Sequence, residues 1–430
     1  MDKLLVEKAE DIVAYEAAHE PEIIKILSVV REFIQKKRVL CYGGTAINNL
    51  LPKEDRFYDP NYDIPDYDFY SEHPQIHALE LADIFDRKGF KNIEVKPGAH
   101  LLTFKVFVEF TGIADITYLD PAIFRRLWKE DIVREGIHYV SPNFLRMSMY
   151  LELSRPRGDV SRWSKVYGRL MLLNKHFPIT CQPHKEKDDI ELAEEEREKI
   201  EHILQVQPIV LLGLWAANIH SKKSSNIWHV PIDVLATPDN YEKIANIFVE
   251  VFQSKNAKSV SHPAYGELLP EHIDIEGKNG FVYCRIFKTM ACHSYHQLKS
   301  GMKVASIPTL LQFFFAFVYA DAHFVEGYDQ NRIICISQRL IDLAESTKRR
   351  YTLLTPLDCL GHQETVQEIK RHASELRELY PKKSDNFLKF FFSYRPGELT
   401  KTQKNKVRRV IRKTMKQVPV RPLLISDKTE

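Results

Sequence analysis

The chain has 430 residues, 44% hydrophobic and 28% charged, with a net charge of +3. It is too long for one compact core, so two or three domains are expected, and 16 glycines against 11% aromatics argue against disorder. No apolar run reaches the roughly 20 residues that span a bilayer, and the amphipathic, charged first 24 residues have no signal-peptide core. The six cysteines (Cys41, Cys181, Cys284, Cys292, Cys335, Cys359) form no C-x-x-C pair, which suits a reducing compartment and argues against a zinc site.

In chain order, residues 5–36 show apolar positions at helical spacing, and "RVLCY" (38–42) predicts a strand. "TAINNLL" (45–51) starts a helix with Thr45 as candidate cap. A loop rich in Tyr, Asp and Pro leads to a strand over 67–71, and residues 73–90 have helical period stopping at Gly89. Two strands, 101–110 and 113–119, flank Thr111-Gly112, and a helical region is expected over about 121–176. The charged helix 185–204 is a candidate inter-domain connector. Residues 231–253 and 280–287 loosely repeat the strand, break, helix, strand order of 66–90 and 113–119, a match that duplication and chance explain about equally well. Helices follow from 305 onward. The expected domains are 1–183, 184–345 and 346–430, the last helical with a basic tail.

"IPDYDFYS" holds Asp66 and Asp68 at i, i+2, which on a strand places both carboxylates on one face. So close a pair repels unless a cation lies between, and hard oxygens on a rigid strand suit Mg²⁺. "IADITYL" offers Asp115 between apolar neighbours as a third carboxylate, with Glu109 as its rival. Three carboxylates from two strands can hold two metals about 4 Å apart. Upstream, "CYGGTAINN" puts Gly43 and Gly44 between a strand and a helix start, a backbone cradle for phosphates to which Thr45 could add a hydroxyl.

Gly-Gly-Thr, D-x-D and a carboxylate on a later strand together resemble the DNA polymerase β-like nucleotidyltransferase superfamily. The 22 positions between Gly44 and Asp66 depart from its shorter gap and look like an insertion. With "FKVFVEFTGIADITYL", "ELSRPRGDVSRWSKVYGRLMLL" and "VASIPTLLQFFFAFVYAD", the chain resembles the poly(A) polymerase catalytic subunit of large cytoplasmic DNA viruses, nearest the asfarvirus and mimivirus-like branch and more distantly poxviruses. The resemblance implies an α/β (α+β) fold: a polymerase β-like palm, a second, inert nucleotidyltransferase-like domain, and C-terminal helices. It implies template-independent transfer of AMP from ATP to RNA 3′ ends, with Mg²⁺ or Mn²⁺ on Asp66, Asp68 and Asp115. The implied partners are RNA and either a second copy or a separate processivity subunit. The implied setting is the host cytoplasm at the viral factory, or the virion. Within the repeat, Asp233 stands where Asp68 would, with no Gly-Gly before it and no carboxylate in "VYCRIF". That copy is expected to lack the metal site.

Arg162, Lys165 and Arg169 share one helix face, and Lys165, then Arg155 or Arg157, are candidate triphosphate partners. Residues 401–421 carry nine Lys or Arg and no Asp or Glu. Lys404, Lys406, Arg408, Arg409, Arg412 and Lys413 are therefore expected to contact RNA phosphates, against an import signal or a tail without a specific partner. Two rivals remain: a nucleotidyltransferase with another acceptor (a tRNA end, a nucleotide or a small molecule), and a non-catalytic RNA-binding subunit.

Overall fold

The computed structural model describes residues 3–182, 192–221, 230–278, 280–289, 291–320, 329–346, 356–382 and 384–415. The chain forms two compact units, Met1–Ser141 with Thr365–Glu430, and Pro142–Glu364. These units break the chain at other points than 183/184 and 345/346. The C-terminal helices expected as a third domain belong to the first unit.

The first unit begins with α1 (Lys3–Ala18) and α2 (Pro21–Lys36). Ile23, Ile26, Val30, Phe33 and Ile34 recur on one face of α2 and are buried. There follow β1 (Leu40–Cys41), α3 (Gly43–Leu50), β2 (Tyr67–Ser71), α4 (Pro74–Arg87), β3 (Glu94–Pro97), β4 (Thr103–Val108), β5 (Thr111–Tyr118), α5 (Pro121–Lys129), β6 (Ile132–Arg134) and β7 (Ile137–Tyr139). The sheet order is β3-β4-β5-β2-β1-β7-β6. β2 pairs parallel with β5 and antiparallel with β1. The helical region expected over 121–176 is broken by the β6–β7 hairpin. Glu135 and Gly136 both adopt positive φ (51° and 76°), the backbone of a type I′ turn whose twist suits a hairpin. Helix α3 starts at Gly43, so Thr45 lies inside it and is not its cap.

The second unit comprises α6 (Pro142–Leu153), α7 (Trp163–His176), α8 (Glu194–Val206), β8 (Ile209–Leu211), α9 (Gly213–Ser221), β9 (Ile232–Ala236), α10 (Tyr241–Val251), β10 (Lys258–His262), β11 (His272–Glu276), β12 (Val282–Lys288), β13 (His293–Gln297), β14 (Lys303–Ala305), α11 (Ile307–Tyr319), α12 (Gln330–Ser346) and β15 (Cys359–Leu360). Every residue of α11 is buried, as its unbroken apolar sequence requires. The expected connector helix is seen as α8, inside this unit; residues 185–191 of that expectation lie outside the described residues. The sheet order, β10-β11-β12-β9-β8-β14-β13-β15, repeats that of the first sheet strand for strand, with β15 added. The pair directions repeat too: β9 is parallel to β12 and antiparallel to β8, and β8 is parallel to β14. The weak repeat in the sequence is thus a duplicated topology that begins at β8, ahead of the stretch from 231 where sequence suggested it.

Two disulfides, Cys181–Cys335 and Cys292–Cys359, close loops of 154 and 67 residues in this unit. Cys41 and Cys284 are buried thiols. The cysteine scatter that suits a reducing compartment thus hides two pairs, whose partners lie far apart in sequence and meet only through the fold.

The chain then returns to the first unit as α13 (Val366–Leu379), α14 (Asp385–Phe390) and α15 (Lys401–Met415). Leu376, Phe390 and Phe391 pack with Leu102 and Tyr118 of its sheet side. Helix α15 lies on α4 through ion pairs. Lys404 contacts Asp86, Arg408 contacts Asp83, and Arg412 lies 4.0 Å from Glu80. Asp83 is 2% exposed and also accepts the Tyr394 hydroxyl at 2.6 Å. The basic run therefore does have counter-charges, supplied by α4 some 320 positions back. Lys406, Arg409 and Lys413 remain on exposed positions of the helix. Breaking a buried pair leaves an uncompensated charge, so Asp83→Ala and Arg408→Ala should each cost roughly 3 kcal/mol in urea unfolding, and the double variant clearly less than the sum.

Candidate active site

β2 alternates: Tyr67, Phe69 and Ser71 point into the core, which leaves Asp68 and Tyr70 on the opposite face. Asp68 stands directly beside Asp115 in the parallel β2–β5 register. Asp66 precedes β2 by one residue and lies near enough to Asp115 to feel its charge. The structure thus brings the three carboxylates together. Glu109 is at the β4–β5 turn, where it accepts from the Lys91 backbone N–H and the Asn92 side chain at 2.5 and 3.0 Å. It is not part of the cluster.

The close approach that demands glycine is made by one of these carboxylates. Gly43 has φ +73°, and a Cβ placed there would sit 2.6 Å from Asp68 Oδ2. The neighbouring Tyr42 N–H donates to the Asp68 carbonyl at 3.0 Å. These contacts join the N-terminus of α3 to the metal-ligand candidates. Thr45 does not offer its hydroxyl outward: it is buried and donates to the Asp66 carbonyl at 2.7 Å, fixing the approach to β2.

The local field is strongly negative. Burial raises the Cys41 thiol, with Asp68 adding to it. Burial also raises the Tyr42 phenol, reinforced by Asp68, Asp115 and Asp66. The Tyr42 ring stacks on Tyr70 at 3.8 Å, and its hydroxyl shares a hydrogen bond with Thr117 at 2.9 Å. Lys105 of β4 contacts the Asp115 carboxylate and partly offsets the repulsion at Asp66. One ammonium against three carboxylates leaves an excess of negative charge, a donor set of hard oxygens that fits Mg²⁺ or Mn²⁺.

Of the cations proposed for the triphosphate, Lys165 and Arg155 belong to the second unit. Lys165 is exposed on α7. The Arg155 guanidinium is buried, which lowers its pKa to about 10, and it faces His293 within that unit. Arg162 is paired with Glu152 at 3.1 Å. In the first unit, the insertion at 51–65, Arg56 included, walls a cavity of about 1010 Å³ with Arg31, Asn48, Asn49 and Arg134. Sequence reading missed this cavity, because its arginines come from three separate segments.

The second copy holds the same positions with different charges. Leu212 N–H donates to the Asp233 carbonyl at 2.7 Å, as Tyr42 does to Asp68, and Gly213 follows with φ +69°. Pro231 stands where Asp66 does. Across the parallel pair, Asp233 faces Arg285 where Asp68 faces Asp115. Across the antiparallel pair, Arg285 faces Asp274 where Asp115 faces Lys105. The acid and the base have changed places. The fully buried Arg285 donates to Asp274 Oδ1 at 3.0 Å and fills the position of the third carboxylate.

Asp66 is held above the ordinary carboxylate range by partial desolvation first and by Asp115 second. A carboxyl whose folded pKa is raised stabilises the fold below its unfolded pKa and loses that contribution as pH rises through the folded value. Metal-free Asp66→Asn should therefore melt above wild type near pH 7. The difference should vanish on acidification, as followed by thermal unfolding at several pH values in chelator.

Residues 28–159 match the family model described as "Poly(A) polymerase catalytic subunit". A protein of African swine fever virus (isolate Tick/Malawi/Lil 20-1/1983), named "Putative poly(A) polymerase catalytic subunit", is 34% identical over 186 residues, 42% of this chain and 39% of that one. The protein of the same name from Acanthamoeba polyphaga mimivirus is 31% identical over 189 residues, 41% of this chain and 32% of that one. The matched stretch thus spans less than two fifths of either relative. The crystal structure of the Megavirus polyadenylate synthase superposes with a TM-score of 0.77 over 97% of this chain and 88% of that one, at 20% identity. The mixed α/β fold with its duplicated sheet is therefore the fold of that synthase, and residues 28–159, which carry Gly43, Asp66, Asp68 and Asp115, are similar to the poly(A) polymerase catalytic subunit family.

Proposed function

We propose that the chain is a template-independent poly(A) polymerase that transfers AMP from ATP to RNA 3′ ends, the activity of mRNA polyadenylation. The observation that carries this reading is the facing pair Asp68–Asp115, with Asp66 alongside and Gly43 packed against Asp68. Asp66, Asp68 and Asp115 would hold the divalent ions, which lower the pKa of the attacking hydroxyl and neutralise charge on the phosphates. The N-terminus of α3 at Gly43 and Gly44 presents backbone N–H groups and the positive end of its dipole to the triphosphate. The RNA 3′ oxygen forms a bond to the α-phosphorus, the bond to the β-phosphate oxygen breaks, and pyrophosphate leaves. Lys105 already contacts Asp115 and orients that carboxylate. RNA is held by Lys406, Arg409 and Lys413 on the outer side of α15, while Lys404, Arg408 and Arg412 fix that helix to α4. Processivity by self-association and a setting in the host cytoplasm or virion complete the proposal.

Asp68→Ala and Asp115→Ala should abolish labelled AMP addition to a short RNA with Mg²⁺, while Glu109→Ala keeps most of it. Asp233→Asn should lower stability, since Asp233 is 1% exposed beside Arg285, yet leave the turnover of the folded fraction close to wild type. An inactive Glu109→Ala beside an active Asp115→Ala would move the third ligand and overturn this site.

Charge reversal at Lys406, Arg409 and Lys413 should weaken RNA binding, and the slope of log K against log salt should fall by roughly 2, at about 0.7 per single-strand contact. ATP affinity and melting temperature should hold. Filter binding at several salt concentrations checks this; an unchanged slope would make α15 a structural element only.

A further inference from the structure

We propose that His262, His272 and Asp274, with Glu276 at their side, form a zinc site in the second unit, separate from the Asp66, Asp68 and Asp115 cluster. The strand register builds it. His262 of β10 and His272 of β11 face each other across the antiparallel pair. Asp274 and Glu276 follow His272 at i+2 and i+4, and so share its face of the sheet. The ligand atoms of the two histidines and Asp274 lie within 4.8 Å of one another. His262 Nε2 is 3.5 Å from Asp274 Oδ2 and 3.9 Å from Glu276 Oε1, and His272 Nε2 is 3.6 Å from Asp274 Oδ1. The two rings stack with centroids 4.8 Å apart and planes 13° apart, and the Nε2 atoms lie 3.5 and 3.6 Å from the two oxygens of Asp274; a shared ion requires one ring to turn so that both in-plane lone pairs meet it. Ligand bonds of about 2.0–2.2 Å in a tetrahedron place ligand atoms roughly 3.3 Å apart, close to these separations.

Charge on this face calls for a cation. Asp233 and Asp274 are 1% and 2% exposed, and Glu276 stands near the rim. Against these three carboxylates the face has the fully buried Arg285 and, opposite Glu276 on β10, Lys258. With neutral imidazoles the carboxylates still outnumber the cations by one, which favours a bound cation at the histidines. Arg285 donates to Asp274 Oδ1, which holds the carboxylate with Oδ2 turned to His262. Two imidazoles and a carboxylate suit zinc, whereas magnesium prefers oxygen alone. β10 is the edge strand and the His262 side chain is 22% exposed, which provides a route for the ion. The copy of the fold that has lost its catalytic carboxylate pair thus carries an ion three strands away, where it fastens the sheet edge.

The test uses the full chain without reductant, so that the disulfide cysteines stay oxidised. The protein is stripped with chelator, dialysed into Mg²⁺ buffer, given Zn²⁺ alone, desalted and measured for zinc by mass spectrometry. Wild type and Asp68→Asn should retain about one zinc per chain, and His262→Gln little or none. Zinc should raise the melting temperature of wild type and not of His262→Gln, a change on an edge strand that leaves the fold intact. A wild type that retains no zinc, as when a protonated imidazole supplies the missing charge, would overturn the site. Equal zinc in His262→Gln and wild type, or zinc lost in Asp68→Asn and kept in His262→Gln, would overturn it as well.

Discussion

Two carboxylates fixed on facing positions of adjacent parallel strands repel each other, and much of the first unit is arranged around that repulsion. Asp68 presses on Gly43 so closely that no side chain fits there, which ties the helix start of α3 to the ligand strand. Lys105 reaches across from β4 to Asp115, and Asp66 is pushed toward its neutral form. The arrangement is strained electrostatically without a bound cation and relaxed with one. A divalent ion bound there, as proposed, would meet this excess of negative charge.

The second unit shows what the same topology becomes when this constraint is removed. Strand order, pair directions, the N–H to carbonyl bond ahead of the glycine, and the glycine's positive φ all persist. One exchange of sign, Lys105 and Asp115 against Asp274 and Arg285, puts an internal salt bridge where the first unit has its carboxylate cluster. A buried pair of this kind is weak evidence for stability, since burying both charges offsets most of their attraction. The two disulfides and the wholly buried α11 are better candidates for what holds this unit together.

The basic C-terminal helix divides its charges by face. Those at i, i+4 and i+8, Lys404, Arg408 and Arg412, meet the acidic side of α4, and those on the other side stay in solvent. A count of cations in the run overstates its capacity for RNA, because half of the six are committed to folding.

The sequence by itself determined the elements and the chemistry within them. Period 2 in "YDFYS" put Asp68 on the face opposite Phe69, helical period marked α4, an apolar run marked α11, and i, i+2 spacing with apolar flanks led to Asp66, Asp68 and Asp115 over Glu109. These signals depend on spacings of two to four residues, and neighbours in the chain fix them. The tertiary structure alone decided what depends on register and on meetings across long separations. It showed that Asp68, more than a phosphate, excludes a side chain at Gly43, and that Thr45 turns inward to Asp66. It paired Cys181 with Cys335 and Asp83 with Arg408, and it assigned 365–430 to the first unit. It also aligned His262 with His272, ten positions apart across a hairpin, which no helical ligand spacing would reveal. Strand pairing is set by which buried faces and partners fit together over hundreds of residues, and no local pattern encodes that choice.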